Sequence, residues 1–117
     1  ERISNSNMGL NLSRGKPIKY YSSDRIAQLL GNGLLTFIDK KTEFNNFFSD
    51  DEVIFYLNLE DLSEKIRKYK ADVAKRKKIA KNGKKMYFRN FNSTIVADFI
   101  LSRTINYRSR YKFVWDK

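Results

Sequence analysis

The stretch SSDRIAQLLGNGLLTFID at residues 22–39 predicts a helix that is followed directly by a buried strand. The helix is expected to begin at Ser22 or Ser23, because serine favours the N-cap position. The Gly-Asn-Gly sequence at residues 31–33 predicts its end in a left-handed turn. Residues 34–38 (LLTFI) are a continuous apolar run, which is typical of a strand buried on both faces of a parallel sheet. The apolar face of the helix is formed by Ile26, Leu29 and Leu30.

Elements of the same kind are predicted on either side of this stretch. Residues 8–12 and 53–57 are short apolar runs that predict two further strands, and residues 42–48 predict a short helix or turn. The C-terminal half predicts three helices, at residues 59–70, at residues 73–87, and after a cap at Asn92 or Ser93. This order predicts one α/β domain, a Rossmann-like parallel sheet with flanking helices.

Two of the C-terminal helices have residues at a spacing that predicts a buried face. In the helix at residues 73–87, the residues expected to pack inward are Val73, Ala80, Gly83 and Tyr87. In the last helix, the expected apolar stripe consists of Ile95, Val96, Phe99 and Ile100.

Length and composition limit the classes of protein to consider. The 117 residues predict one domain over residues 1–117, and a hydrophobic content of 41% favours a folded core. The chain has no cysteine and no histidine, which excludes disulfides, thiolate or imidazole metal sites and histidine-dependent catalysis. The apolar runs are too short to span a bilayer, and the composition suits a cytoplasmic setting. Because three strands make a small sheet and the first residue is Glu1, we interpret the chain as a piece of a longer protein.

The positive charge is confined to the second half of the chain. Residues 1–60 carry 7 Lys/Arg and 8 Asp/Glu, a net of −1, whereas residues 61–117 carry 17 and 5, a net of +12. Such a field favours nucleic acid, anionic lipid or nucleotide phosphates. The lysine-rich run at residues 65–85 is interpreted first as the solvated face of two helices, with a peripheral membrane contact as an alternative. A nucleic-acid partner is less favoured because the chain has no recognised nucleic-acid-binding motif, although residues 107–115 (YRSRYKFVW) interleave aromatic residues with cations.

The start of the first helix is the main candidate for a binding site. In an open parallel sheet, ligands bind beyond the carboxyl ends of the strands, often at a helix N-terminus. The amides of residues 22–25, the hydroxyls of Ser22 and Ser23, and the Arg25 guanidinium are therefore candidate phosphate ligands. The alternative is an ordinary capped helix with a surface ion pair.

A second, weaker candidate is the loop SRGK at residues 13–16, in which Arg14 and Lys16 flank Gly15. It is neither a Walker sequence nor a dinucleotide fingerprint, so a solvated loop remains the alternative. The Asp50-Asp51 pair is interpreted as a turn rather than a metal site, because adjacent residues on a strand point to opposite faces. No metal site is predicted.

Four segments of the chain, in order, match a family pattern. They are GLNLS at residues 9–13, SSDRIAQLLGNGLLTFID at 22–39, FFSDDEVIFYLNLEDLSEKIRKY at 47–69 and RKKIAKNGKKMYFRNFNSTIVADFIL at 76–101. The second is similar to the pattern S-x-R-x-x-E-x-x-A-x-G followed by a strand. Over roughly residues 8–105 the chain resembles the C-terminal half of two-domain GT-B glycosyltransferases, especially the group of the spore-maturation CgeB proteins.

The resemblance implies a function and a set of site residues. The C-terminal half of those enzymes binds a nucleoside-diphosphate sugar, and an N-terminal half, missing here, binds the acceptor; no cofactor or bound metal is implied. Ser22, Ser23, Asp24 and Arg25 would lie at the donor phosphates or sugar. Gln28 stands where many relatives have a glutamate that bonds the ribose, and Tyr20 stands at the partner glutamate eight residues earlier. The expected function is donor binding in sugar transfer; the alternative is a non-catalytic basic module for an anionic partner.

Overall fold

A computed structural model describes residues 5–13, 15–21 and 23–116 of the chain. Its centre is a three-stranded parallel sheet in the order β1-β2-β3. The strands are β1 (Met8–Asn11), β2 (Leu35–Asp39) and β3 (Ile54–Tyr56). The predicted α/β class, with a Rossmann-like parallel sheet and flanking helices, is confirmed.

Helix α1 (Asp24–Gly31) connects β1 to β2. Its buried residues are the predicted Ile26, Leu29 and Leu30. The predicted stop is also confirmed: Gly33 has a φ of +73°, and its N–H donates to the Leu30 carbonyl. Asn32 remains right-handed, so the left-handed residue is Gly33, where a side chain would be strained.

Two short 3-10 turns, Lys40–Thr42 and Phe44–Asn46, lead from β2 towards β3, as expected for residues 42–48. Helices α2 (Leu59–Ala71), α3 (Val73–Asn90) and α4 (Ser93–Thr104) follow β3. Asp72 separates α2 from α3 and caps the latter, since its carboxylate accepts from the Lys75 N–H at 2.9 Å. Of the two predicted caps of α4, Asn92 is the one used, and its side chain accepts from the Ile95 N–H.

The sheet is covered on both faces, which explains why its strands read as unbroken apolar runs. On one face, β2 and β3 pack against α2 and α3; the buried residues there are Leu35, Phe37, Ile54, Tyr56, Leu62, Tyr69, Ile79 and Ala80. On the other face, α1 and the turn region pack on the sheet; the buried residues there are Ile26, Leu30, Ile38, Phe44, Phe48, Val53 and Phe55.

Helix α3 also crosses the amino edge of the sheet. Its Asn82 side chain donates to the carbonyl of Asp51, shortly before β3, and its Gly83 lies against the backbone of Glu52. Lys84, one residue on, lines the same cleft as Gly33 at the entrance to β2. The helix therefore packs against the buried residues on both faces of the sheet. Its residues Ala80, Gly83 and Tyr87 face inward, as predicted.

Two predictions of burial were wrong. Val73, the first residue of α3, is 44% exposed because it lies at the helix end, beyond the sheet. Within α4, Val96 and Ile100 are also exposed, and Ser102 is the buried residue of that helix. The helix packs through Phe99 on Phe113 and Trp115 of the C-terminal tail, so it has a narrow aromatic contact instead of a broad apolar face.

Candidate functional site

The carboxyl ends of the three strands open into one cleft of about 350 Å³, which we call the carboxyl-edge cleft. The cleft is lined by Leu12 and Ser13 after β1, by Asp39 at the end of β2 and Lys41 beyond it, and by residues 56–59 from the end of β3. This is the position in which open parallel sheets bind ligands, because the loops that diverge from neighbouring strands leave a crevice there. It is the candidate site of the chain.

Arg25 fastens the start of α1 to this edge. Its guanidinium donates to the carbonyl oxygen of Leu12, the residue that follows β1 and lines the cleft. A guanidinium has five N–H donors in a planar fork, so this bond leaves further donors for an anion. The structure thus brings the predicted cation to the rim of the cleft.

The other predicted residues on α1 are arranged differently. Ser23 is the N-cap residue of α1, as predicted, and has an extended backbone, but its side chain makes no capping hydrogen bond. Asp24 is the first residue of the helix and is exposed, which suits the positive end of the helix dipole. Gln28 is exposed one turn later, and its backbone carbonyl accepts from the Asn32 N–H.

The loop after β1 borders the same cleft. Gly15, with a φ of +75°, and Pro17 both line it, and Lys16 stands exposed between them. The predicted residues Arg14 and Ser22 lie outside the described residues.

Tyr20, at the position of the second family glutamate, fastens this loop to the turns after β2. Its N–H donates to the Thr42 carbonyl at 2.9 Å, and its hydroxyl accepts from Asn46 at 2.8 Å. Its ring lies 5.0 Å from that of Phe47. These contacts hold the tyrosine at a φ of +56°, which a bulky residue adopts only when its surroundings enforce it.

Sequence reasoning missed the polar residues at the strand ends themselves. Asn11, the last residue of β1, is 4% exposed, and its Oδ1 has no hydrogen-bond partner among the described residues. It shares a face of β1 with Gly9, which packs on Leu29 of α1. An unsatisfied buried acceptor is costly, so a donor group supplied at this edge would be stabilised. A polar residue that closes an apolar strand is the signal that could have found it.

Asp39 and Tyr56 are polar residues that line the cleft at the ends of β2 and β3. The Asp39 carboxylate accepts from the N–H of Lys41 at 2.9 Å. Burial, and then the charge of Asp39, raise the pKa of Tyr56 above its ordinary value of 10.0. The tyrosine hydroxyl therefore keeps its proton at neutral pH and can donate to a ligand in the cleft.

An ion pair fixes the junction between β3 and α2 beside the cleft. The Asp61 carboxylate accepts from the Lys65 ammonium at 2.8 Å and from the Leu57 N–H at 2.9 Å. The same ammonium donates to the Phe55 carbonyl at 2.8 Å. The Lys65 bond, followed by the Leu57 bond, holds the pKa of Asp61 below its usual value of 3.8.

This shift predicts a pH dependence. Because the pKa of Asp61 is lower in the folded chain, its contribution to stability is present above pH 3.8 and is lost as the pH falls through the folded-state pKa. Asp61→Asn should lower the free energy of unfolding at neutral pH and should converge with the parent chain in acid. Urea titrations between neutral pH and about pH 2 would measure this. Glu64→Gln, on the same helix, is the control for the loss of one negative charge. If Asp61→Asn lowers the free energy of unfolding by the same amount at every pH, the prediction is wrong.

The described residues include neither a cluster suited to a metal ion nor a helix suited to a membrane. Over residues 5–13, 15–21 and 23–116, no group of three or more acidic, histidine or cysteine side chains is arranged to hold a metal ion. Within the same ranges, no helix combines the length and the apolar character required to cross a membrane.

Comparison with known proteins points to a family. The family model described as "Glycosyl transferase-like" matches residues 1–102, which includes all three strands and the cleft between their ends. No curated protein and no solved structure matches the chain.

Proposed function

The chain belongs to the glycosyl transferase-like family, and we propose that it is the nucleotide-sugar-binding, C-terminal half of a two-domain GT-B glycosyltransferase. The observation that carries the proposal is the carboxyl-edge cleft with Arg25 at its rim. In a family that transfers sugars, such a cleft fits the donor better than the acceptor, because the Arg25 guanidinium and the start of a helix both suit phosphates. The CgeB-like subtype remains part of this proposal.

The proposed chemistry is stabilisation of the leaving diphosphate. As the bond between the sugar and the diphosphate breaks, negative charge grows on the leaving phosphate oxygen. The Arg25 guanidinium and the amides at the start of α1 would bind that oxygen, and they act without reorganisation because the Leu12 contact already holds the arginine. The guanidinium and the amides would together neutralise the charge that a metal ion neutralises in other enzymes.

The sugar or ribose of the donor would lie deeper, against the strand ends. Of the residues that line the cleft, the protonated Tyr56 can donate to a donor hydroxyl, and Asp39 can accept from one. Gln28 and Lys16 are proposed as outer contacts with the ribose and phosphates, since both are exposed near this edge. Ser23 and Asp24 complete the proposed donor contacts at the start of α1.

The acceptor site is proposed to belong to a separate N-terminal half. The chain alone is therefore expected to bind nucleotide but to transfer negligible sugar, because transfer requires both substrates to be held in line. A panel of UDP- and GDP-sugars with varied acceptors, analysed by mass spectrometry, would measure this. Multiple turnovers by the chain alone would show that it carries an acceptor site.

Nucleotide titration tests the donor site directly. Adding UDP, GDP or their glucose conjugates to the ¹⁵N-labelled chain should shift the amides of residues 23–28 and those of the lining residues Asp39 and Tyr56. Inorganic phosphate, added to give the same total negative charge, is the control, since a donor site should bind the whole nucleotide more tightly than phosphate alone. Shifts confined to α3, or no shifts, would overturn the proposal and favour a basic module without a donor site.

A further inference from the structure

Helix α3 has an unusual charge content for a solvated helix. Its sequence, VAKRKKIAKNGKKMYFRN, carries eight lysines and arginines and no acidic residue. None of the three ion pairs in the described part of the chain involves it. By contrast, α2 (LEDLSEKIRKYKA) mixes three acidic residues with four cations and contains the Asp61–Lys65 pair.

This difference is not explained by solubility alone. Like charges four residues apart on a helix repel, whereas a mixed face of acids and bases gives the same hydration with favourable pairs. In α3 such repulsion occurs between Lys77 and Lys81, between Lys81 and Lys85, and between Lys85 and Arg89. A helix that keeps this pattern is better matched to an anionic surface outside the molecule.

The two sides of α3 have different surroundings. On one side, Lys85 and Arg89 share a cleft with Asp51 and Glu52, which offset their charge. On the other side, Arg76, Lys77, Lys81 and Lys84 line a cleft of about 260 Å³ whose remaining lining residues carry no charge. The uncompensated positive field therefore belongs to the second side.

The three lysines of this cleft lie on one line along the helix. Lys77, Lys81 and Lys84 are spaced by four and three residues, and Phe88 continues the line four residues later. We call these four residues the basic stripe; it is about 16 Å long at the usual helical rise. Phe88 is 52% exposed, and the Lys84 ammonium lies 6.0 Å from the centre of its ring.

We infer that the basic stripe is a docking surface for the anionic headgroup layer of a lipid membrane. Lysine is a compact, strongly hydrated point charge, which suits a diffuse layer of headgroups more than the bidentate recognition for which arginine is used in nucleic-acid binding. An exposed aromatic ring in line with the cations can enter the boundary between headgroups and acyl chains. The occupant is thus identified by charge and by the position of Phe88.

The location of the stripe allows docking and ligand binding together. The cleft beside the stripe is lined by Asn7 and Gly33, which precede β1 and β2, so it lies at the amino edge of the sheet. The carboxyl-edge cleft is at the opposite end of the same strands. A membrane held at the stripe would leave that cleft open, and the inference does not depend on nucleotide binding.

Vesicle flotation tests the inference. The chain should float with vesicles of phosphatidylcholine containing about 30% phosphatidylglycerol and not with pure phosphatidylcholine, and raising the salt from about 0.05 M to about 0.3 M should release it. The variant Lys77→Glu, Lys81→Glu, Lys84→Glu should weaken binding by at least about 100-fold, at roughly 5-fold per lysine removed. Phe88→Ser should weaken it several-fold without changing its salt dependence.

The matched control carries the same change in net charge elsewhere. Lys40→Glu, Arg108→Glu, Lys112→Glu alters three exposed cations outside α3 and should retain most of the binding. Thermal melts of both triple variants establish that each is folded. Three results would overturn the inference: no flotation of the parent chain, equal loss in the two triple variants, or stripe-dependent binding to oligonucleotides without binding to vesicles.

Discussion

Replacing Gly83 by alanine is expected to lower the free energy of unfolding by about 2 kcal/mol. A Cβ at this position overlaps the carbonyl oxygen of Glu52 and lies 3.1 Å from Cδ2 of Leu30. The Glu52 carbonyl is backbone, and the turn that bears it is fixed because its own N–H donates to Ser49. Relief would require α3 to move off the amino edge of the sheet, and that cost exceeds the gain of about 1 kcal/mol in helix propensity.

Gly31→Ala is the matched control for this prediction. Gly31 ends α1 and has no atom within 4 Å of an added Cβ, so alanine there should be neutral or slightly stabilising. Urea denaturation followed by circular dichroism measures both variants. Equal stabilities for Gly83→Ala and the parent chain would show that α3 does not press on the backbone before β3 as described.

Arg25→Ala is expected to weaken binding of a nucleoside diphosphate by roughly 10- to 100-fold, as the loss of one charge-assisted hydrogen-bonding group does. The guanidinium lies at the rim of the carboxyl-edge cleft through its bond to Leu12, so its other donors are already oriented. Isothermal titration with UDP and GDP gives the affinities. The loss should be smaller for the free nucleoside, which has no phosphate to bind.

Two further variants separate charge from orientation. Arg25→Lys keeps the charge without the planar fork and should recover only part of the affinity. Lys40→Ala removes an exposed cation of the turn after β2, which does not line the cleft, and should leave affinity unchanged. If Arg25→Ala binds nucleoside diphosphate as tightly as the parent chain, Arg25 is only a brace between α1 and β1, and the proposed phosphate contact is wrong.

Local pattern was sufficient for the secondary structure and for the fold class. The apolar runs at residues 34–38 and 53–57, the stop at residues 31–33 and the Asn92 cap each depend on residues a few positions apart. Their alternation along the chain leaves a parallel sheet with flanking helices as the natural arrangement. The glycosyltransferase resemblance likewise followed from sequence motifs in order, and the family match confirms it at the level of the family.

Features that depend on a distant partner were not predictable in the same way. Val96 and Ile100 have helical spacing, but none of the three strands in the described part of the chain packs extensively against α4 to bury them. Ser23 has the residue type of a cap, yet its side chain does not cap α1. The predicted roles of Lys16, Gln28 and the remaining donor-site residues stay predictions, since a binding role depends on a ligand as well as on position.

The sequence by itself determined the strands and helices, the parallel α/β class, the absence of histidine and cysteine chemistry, and the concentration of charge in residues 61–117. Only the tertiary structure decided that Arg25 meets Leu12, that Asn11 is buried at the carboxyl edge, and that α3 crosses the amino edge with Lys77, Lys81 and Lys84 on one side. The reason is physical. Hydrophobic period and capping act over a few residues, whereas a cleft or a charged surface is formed by strands and helices that are far apart in the chain and meet only when the core packs.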